Sequence, residues 1–223
     1  ELAARLGRNS RVYAIDNWPE GCQRLKQKIE YFGLANIEVA EASAEALPFA
    51  DGTFDLVTSN NGINNVADPE RALRECFRCS RLMAQLLITV NLPDTFSLFY
   101  DVLRSVLRNS GMAKEAAAID SHIRDKRKPL DYTAALIERC KFKIIETKRF
   151  EWRMHFATSE AFFKHPFVSS TFAPAWEECI PEDKRSEVFH NVSAKMDDYA
   201  TARGRLSMDV PYALFEARKN VSK

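Results

Sequence analysis

Glycine is scarce here: seven in 223 residues. No G-x-G-x-x-G run occurs, so the loop that cradles phosphates or a cofactor in a dinucleotide fold does not precede the first acid of the chain. Long apolar runs are also missing; no stretch approaches 18 residues, which excludes a membrane-spanning helix and an integral membrane segment. Neither sign of charge dominates, with 32 basic and 31 acidic residues for a net charge of +1. Without a strong field, nucleic acid and anionic membrane are disfavoured as partners. Histidine is limited to His122, His155, His165 and His190, and no pair has metal-ligand spacing, so no metal site is expected. The five cysteines (Cys22, Cys76, Cys79, Cys140 and Cys179) are odd in number and scattered. They read as reduced thiols, and the expected location is cytoplasmic. Cys76 and Cys79 form a C-x-x-C with no second pair and no Gly or Pro context, so core packing at helical spacing is favoured. No secretory signal is visible, and there are no repeats or low-complexity stretches.

What is present alternates strand and helix. Val12 to Ile15 read as a short buried strand. Pro19 suits a first helical turn, with Cys22, Leu25, Ile29 and Phe32 on one face and Gly33 as the stop. Ile37 to Val39 and Phe54 to Thr58 are further strands, separated by an Asp51-Gly52 turn. Asp68-Pro69-Glu70 opens another helix, with Leu73, Cys76 and Phe77 facing inward, and Leu86 to Val90 form a fourth strand. Short continuous apolar strands between helices argue for a mostly parallel sheet covered on both faces. The second half is less regular. Helical spacing runs from Phe96 to Leu107 and from Leu130 to Cys140. Lys143 to Phe156 is strand-like, Ser159 to Arg205 mostly helical, and Val210 to Ala217 a last strand. Phe156, Phe162, Phe163, Phe167, Phe172 and Trp176 crowd into 21 residues. They could form a lid over a flat acceptor, or the core of a small helical subdomain.

Three segments carry chemistry. The strand RVYAID ends in Asp16, whose carboxylate can accept from two ribose hydroxyls at once. In EASAEALPF the small residues Ala42, Ser43 and Ala44 would let backbone amides approach a flat base. FDLVTSNNG brings Asn60, Asn61 and Gly62 to a third strand end, where open sheets bind ligands. A helix cap at Asp16 and a loop of turn formers at Asn60 are the plainer readings.

Together, RVYAIDNWPEG and NIEVAEASAEALPFADGTFDLVTSNNGINNVADPERALRE resemble the class I S-adenosylmethionine-dependent methyltransferases, in the branch with small-molecule and quinone-biosynthesis C-methylators. DVPYALFEARK is similar to that family's last, antiparallel strand. The resemblance implies an α/β, Rossmann-like, doubly wound fold with an antiparallel last strand and a helical insertion. It implies S-adenosyl-L-methionine as cofactor, with Asp16 on the ribose and Asn17 and Trp18 by the adenine. Ser43 and Ala44 would sit at the adenine edge, and Asn60 beside the methionine part and the transferring methyl. It implies an S-adenosylmethionine-binding domain at 1–157 and 206–223 and an insertion or substrate lid at 158–205.

The chain departs from the family at three places. The family's glycine-rich loop would lie just before Glu1, which begins the chain without a Met, and a preceding strand is expected. Ser43 replaces the acid that usually reads the adenine amino group. SRLMAQ replaces a Lys-Pro-Gly-Gly turn. The expected activity is methyl transfer to a small-molecule acceptor by in-line displacement. A methyltransferase-like module that binds without catalysis is the alternative. A nicotinamide-dependent dehydrogenase is disfavoured, since no Tyr-x-x-x-Lys follows. The catalytic base is unassigned, with Tyr100, Tyr132, His155 and His165 candidates by position, and a homodimer is left open.

Overall fold

The computed structural model describes residues 1–220. By internal packing the chain falls into two units. The first comprises Glu1–Ile88, Ala134–Glu146 and the residues from Phe215 on; the second comprises Thr89–Thr133 and Thr147–Leu214.

The first unit opens with a short helix, α1 (Leu2–Leu6), followed by strand β1 (Val12–Asp16), helix α2 (Pro19–Tyr31) and strand β2 (Ile37–Glu41). β1 and β2 pair in parallel, with Val12 opposite Ile37 and Asp16 opposite Glu41. Parallel neighbours need a crossover, and α2 supplies it. Pro19 stands at its first turn, as the sequence predicts, and Gly33 takes φ +60 just past its end, in the left-handed region that glycine adopts cheaply. Phe32 departs from expectation: it is exposed and sets its ring edge-on to Tyr31 at 5.0 Å. The residue caps the helix, and at that point the chain has left the face that buries Cys22.

Strand β3 (Phe54–Asn60) leads into α3 (Pro69–Cys79) and β4 (Ser80–Asn91). Asp68 caps α3 by accepting from the Arg71 backbone N–H at 3.0 Å, Pro69 fills the first turn, and Glu70 lies at the positive helix end. α3 buries Ala72, Leu73 and Cys79. β4 begins six residues before the apolar run that reveals it (Ser80 rather than Leu86), because SRLMAQ is strand, not turn. The strand passes Met83 at φ +65, where the side chain is exposed.

The rest of the chain comprises α4 (Ser97–Asn109), α5 (Ala113–Lys126), α6 (Leu130–Arg139), β5 (Phe142–Phe156), α7 (Ser159–Lys164), α8 (Pro166–Thr171), α9 (Ala173–Glu178), α10 (Glu182–Arg203) and β6 (Leu206–Lys219). The four-stranded sheet runs β3-β4-β6-β5. β6 is antiparallel to β4: Leu92 N–H donates to the Pro211 carbonyl, while further along β6 in the opposite sense Glu216 accepts from Gln85 and Arg218 reaches the Met83 carbonyl. Against β5 the same reversal pairs Phe150 with Tyr212 and His155 with Ser207. The antiparallel last strand inferred from DVPYALFEARK is therefore present, starting at Leu206, four residues earlier than its apolar run.

The second unit has its own core. α4 buries Phe99, Tyr100, Val102, Leu103, Val106 and Leu107, each full burial being worth roughly 1.5–3 kcal/mol before entropy. α10 adds a stripe of Val188, Val192, Met196 and Ala200, one residue per turn. The crowded aromatics join this core: Phe162 and Trp176 are fully buried, Phe156 and Phe172 nearly so, and Phe163 and Phe167 pack against them.

Candidate functional site

A cavity of about 1210 Å³ lies within the first unit. β1 supplies Val12, Tyr13, Ile15 and Asp16 to its wall, and β3 supplies Phe54 to Ser59. Ligand pockets ordinarily hold about 300–1,000 Å³. The surplus has a visible origin: among the described residues β1 pairs only with β2, and β3 only with β4. The lane between those two open strand edges belongs to the cavity.

Asp16, Asn17, Ser43 and Ala44 all line it. The Asp16 Oδ1 accepts the Trp18 backbone N–H at 3.0 Å, which turns the chain from β1 into α2. Among the described residues, no hydrogen bond engages the other carboxylate oxygen. Ser43 Oγ accepts from the Glu45 N–H at 3.1 Å, which leaves its hydrogen to donate. Trp18 and Asn60 are not part of the wall. Trp18 is exposed, with its ring over Gly21: a Cβ there would come within 2.7 Å of Trp18 Cε3. Asn60 closes β3 directly after the lining residue Ser59. Gly62 also lines the cavity, and a Cβ on it would lie 2.9 Å from Ser59 Oγ, the atom that accepts the Ile63 N–H. Tyr13, Phe49 and Phe54 form an aromatic trio on the wall with centroid separations of 4.8–5.7 Å.

The loop that carries Ser43 and Ala44 is held by α3. Arg71 Nε donates to the Glu45 carbonyl at 2.9 Å, and Glu45 Oε1 accepts the Asp68 N–H. Glu75 Oε2 accepts the Leu47 N–H at 2.9 Å. Arg78 donates to the Leu47 and Phe49 carbonyls, and pairs with Glu75 and Asp51. Hydrogen bonds from Arg78, above all, hold the Glu75 carboxyl below the usual carboxylate range, against the upward push of burial. Sequence reading missed this clamp. Its signal was the i, i+4, i+7 spacing of Arg71, Glu75 and Arg78 on one helix face.

Cys76 also lines the cavity, and burial pushes its thiol up to about 12. It stays protonated at neutral pH and is no nucleophile there. Two candidate bases have structural partners: His155 Nδ1 lies 3.1 Å from Ser207 Oγ, and His165 Nδ1 accepts the Phe167 N–H at the start of α8.

A mostly parallel sheet with an antiparallel last strand, and a cavity lined by the strand that ends in Asp16, define a Rossmann-like fold. The family model described as "Methyltransferase domain" matches residues 1–88. Over 84 residues the chain is 38% identical to the ubiquinone/menaquinone biosynthesis C-methyltransferase UbiE of Klebsiella pneumoniae, which covers 37% of this chain and 34% of that protein. The UbiE of Salmonella newport is 42% identical over 89 residues, 40% of this chain and 36% of that protein. The match thus spans about a third of these relatives. Among solved structures, BH2331 of Bacillus halodurans C-125 superposes with a TM-score of 0.60 at 19% identity, over 95% of this chain and 84% of that one. The [4+2]-cyclase SpnF gives 0.57 at 15% identity, over 99% and 70%. Geranyl diphosphate methyltransferase, solved with SAM, gives 0.55 at 13% identity, over 98% and 72%. At these identities the structures establish the fold.

Proposed function

We propose that the chain is part of an S-adenosylmethionine-dependent methyltransferase acting on a small molecule. The observation that carries this reading is the placement of Asp16, Asn17, Ser43 and Ala44 on one cavity wall, within the stretch that matches a methyltransferase domain. The donor set suits the cofactor. The Asp16 oxygen not used by Trp18 would accept from the ribose hydroxyls, a charge-assisted pairing. Ser43 would donate to the adenine edge, and Ala44 leaves the backbone open to the base. Asn60, at the end of β3, would face the amino-acid part.

S-adenosylmethionine supplies an activated methyl on a sulfonium. The protein's share is then alignment of the acceptor with the methyl–sulfur bond, and proximity and orientation can supply about 7–11 kcal/mol of such a barrier. A wall of Tyr13, Phe49 and Phe54 would keep water from the reacting groups. The stretch that matches a methyltransferase domain ends within β4, so the likeness bears on the cofactor half and leaves the acceptor open; a quinone precursor ring is the first class to try. SpnF, a cyclase on the same fold, shows that the fold alone does not fix the reaction.

Calorimetry with S-adenosylhomocysteine tests the reading. Saturable binding that falls at least tenfold in Asp16→Ala is expected. Equal binding by Asp16→Ala would remove the site assignment. Labelled methyl transfer to a panel of phenol and quinol acceptors then separates an enzyme from a module that binds without catalysis.

A further inference from the structure

Among the described residues, Arg127 is the one buried side chain that carries a formal charge, at 3% exposure. No carboxylate pairs with it. Its Nη2 donates to the Tyr100 hydroxyl at 2.8 Å, and its Nη1 is buried with no hydrogen-bond partner. The guanidinium lies over the rings of Tyr100 and Phe172, at 5.0 and 5.4 Å from their centroids. Trp176 Nε1 donates to the same Tyr100 hydroxyl at 2.7 Å. That oxygen therefore accepts twice, and its own hydrogen is left to donate. Arg124, Lys126 and Lys128 flank Arg127 in sequence, and Arg124 and Lys126 are exposed. Asp125, the acid among them, lies 3.9 Å from Lys128. The carbonyl end of α5, where Arg127 is the cap, offsets part of this charge. Rings and a helix end do not satisfy a buried N–H, which normally finds an acceptor.

We infer that Arg127 and Tyr100 form a receptor in the second unit for an anionic group, a carboxylate or a phosphate, on a small molecule with an apolar body. Arg127 Nη1 and the Tyr100 hydroxyl are the donors, and a planar guanidinium suits either oxyanion. Phe172 and Trp176 supply the apolar surround. All four residues lie in the second unit, and the inference does not rest on the methyl-donor reading.

The test uses the full chain and three probes of similar shape: benzoate, phenyl phosphate and neutral benzamide. The readout is the Trp176 indole N–H resonance, assigned with Trp176→Phe. One anion is expected to shift it saturably, at least tenfold more tightly than benzamide, and the stronger anion identifies carboxylate or phosphate as the natural group. Arg127→Met should weaken that anion at least tenfold, with Arg127→Lys in between. A buried cation replaced by an apolar side chain of similar length is often tolerated, so Arg127→Met is expected to fold. Retained S-adenosylhomocysteine binding in Arg127→Met would show that the first unit is intact. The inference is overturned if neither anion moves the resonance, if benzamide binds as well, or if Arg127→Met binds the anion unchanged.

Discussion

Asp16 is both a turn former and a residue of the cavity wall: its Oδ1 holds the Trp18 amide at the start of α2. Asp16→Asn should keep the turn and lose the charge. Calorimetry should show roughly 10- to 100-fold weaker S-adenosylhomocysteine binding, or about 1.4–2.7 kcal/mol. Met83 is strained in the opposite sense. A side chain in the left-handed region costs roughly 1–2 kcal/mol, and glycine's extra chain entropy returns about 0.5–1 of it. Met83→Gly should therefore stabilise the protein by about 0.5–1 kcal/mol in denaturant unfolding, while Met83→Val should destabilise it. The sequence indicates this position, since SRLMAQ stands where the family resembled has a glycine turn. The strain itself became visible only with the backbone angle.

At the scale of elements, α3 is both a crossover and a clamp. Its capping and apolar face could be read from Asp68-Pro69-Glu70 and Leu73, because caps and helical spacing are local. The partners of Arg71, Glu75 and Arg78 could not be, because they lie roughly 25–30 residues away on an irregular loop. Arg78→Ala should loosen that loop. Faster amide exchange at Leu47 and Phe49, with weaker S-adenosylhomocysteine binding, checks it; unchanged exchange would mean that Arg78 is a surface ornament. The clamp also has a pH signature. Glu75 titrates lower folded than unfolded, so its contribution is full above about pH 4.3 and lost as pH falls through the folded value. Partial exposure limits the contribution to about 1 kcal/mol. Glu75→Gln should flatten the acid limb of a stability–pH curve and leave its alkaline limb in place.

For the molecule as a whole, the α/β plan of the first unit followed from strand length, turn residues and Pro positions. The core of the second unit did not follow so directly: the aromatic crowding was plain, but lid and core share one composition. The structure puts those rings in a core. Bound S-adenosylhomocysteine at 100 times its Kd should add about 2.7 kcal/mol to stability by linkage. The rise should be smaller in Asp16→Asn at the same ligand concentration, as a thermal melt can show. One small feature of the β1–α2 turn gives access to its motions. Cys22 is 3% exposed, and its thiol reaches the Asp16 carbonyl at 3.5 Å. A maleimide can meet that sulfur only when the turn opens, so its labelling rate is a clock for local unfolding at the Asp16 end of the cavity. A nucleoside ligand held by Asp16 should slow that clock, and an occupant elsewhere in the molecule should leave it running at its own pace.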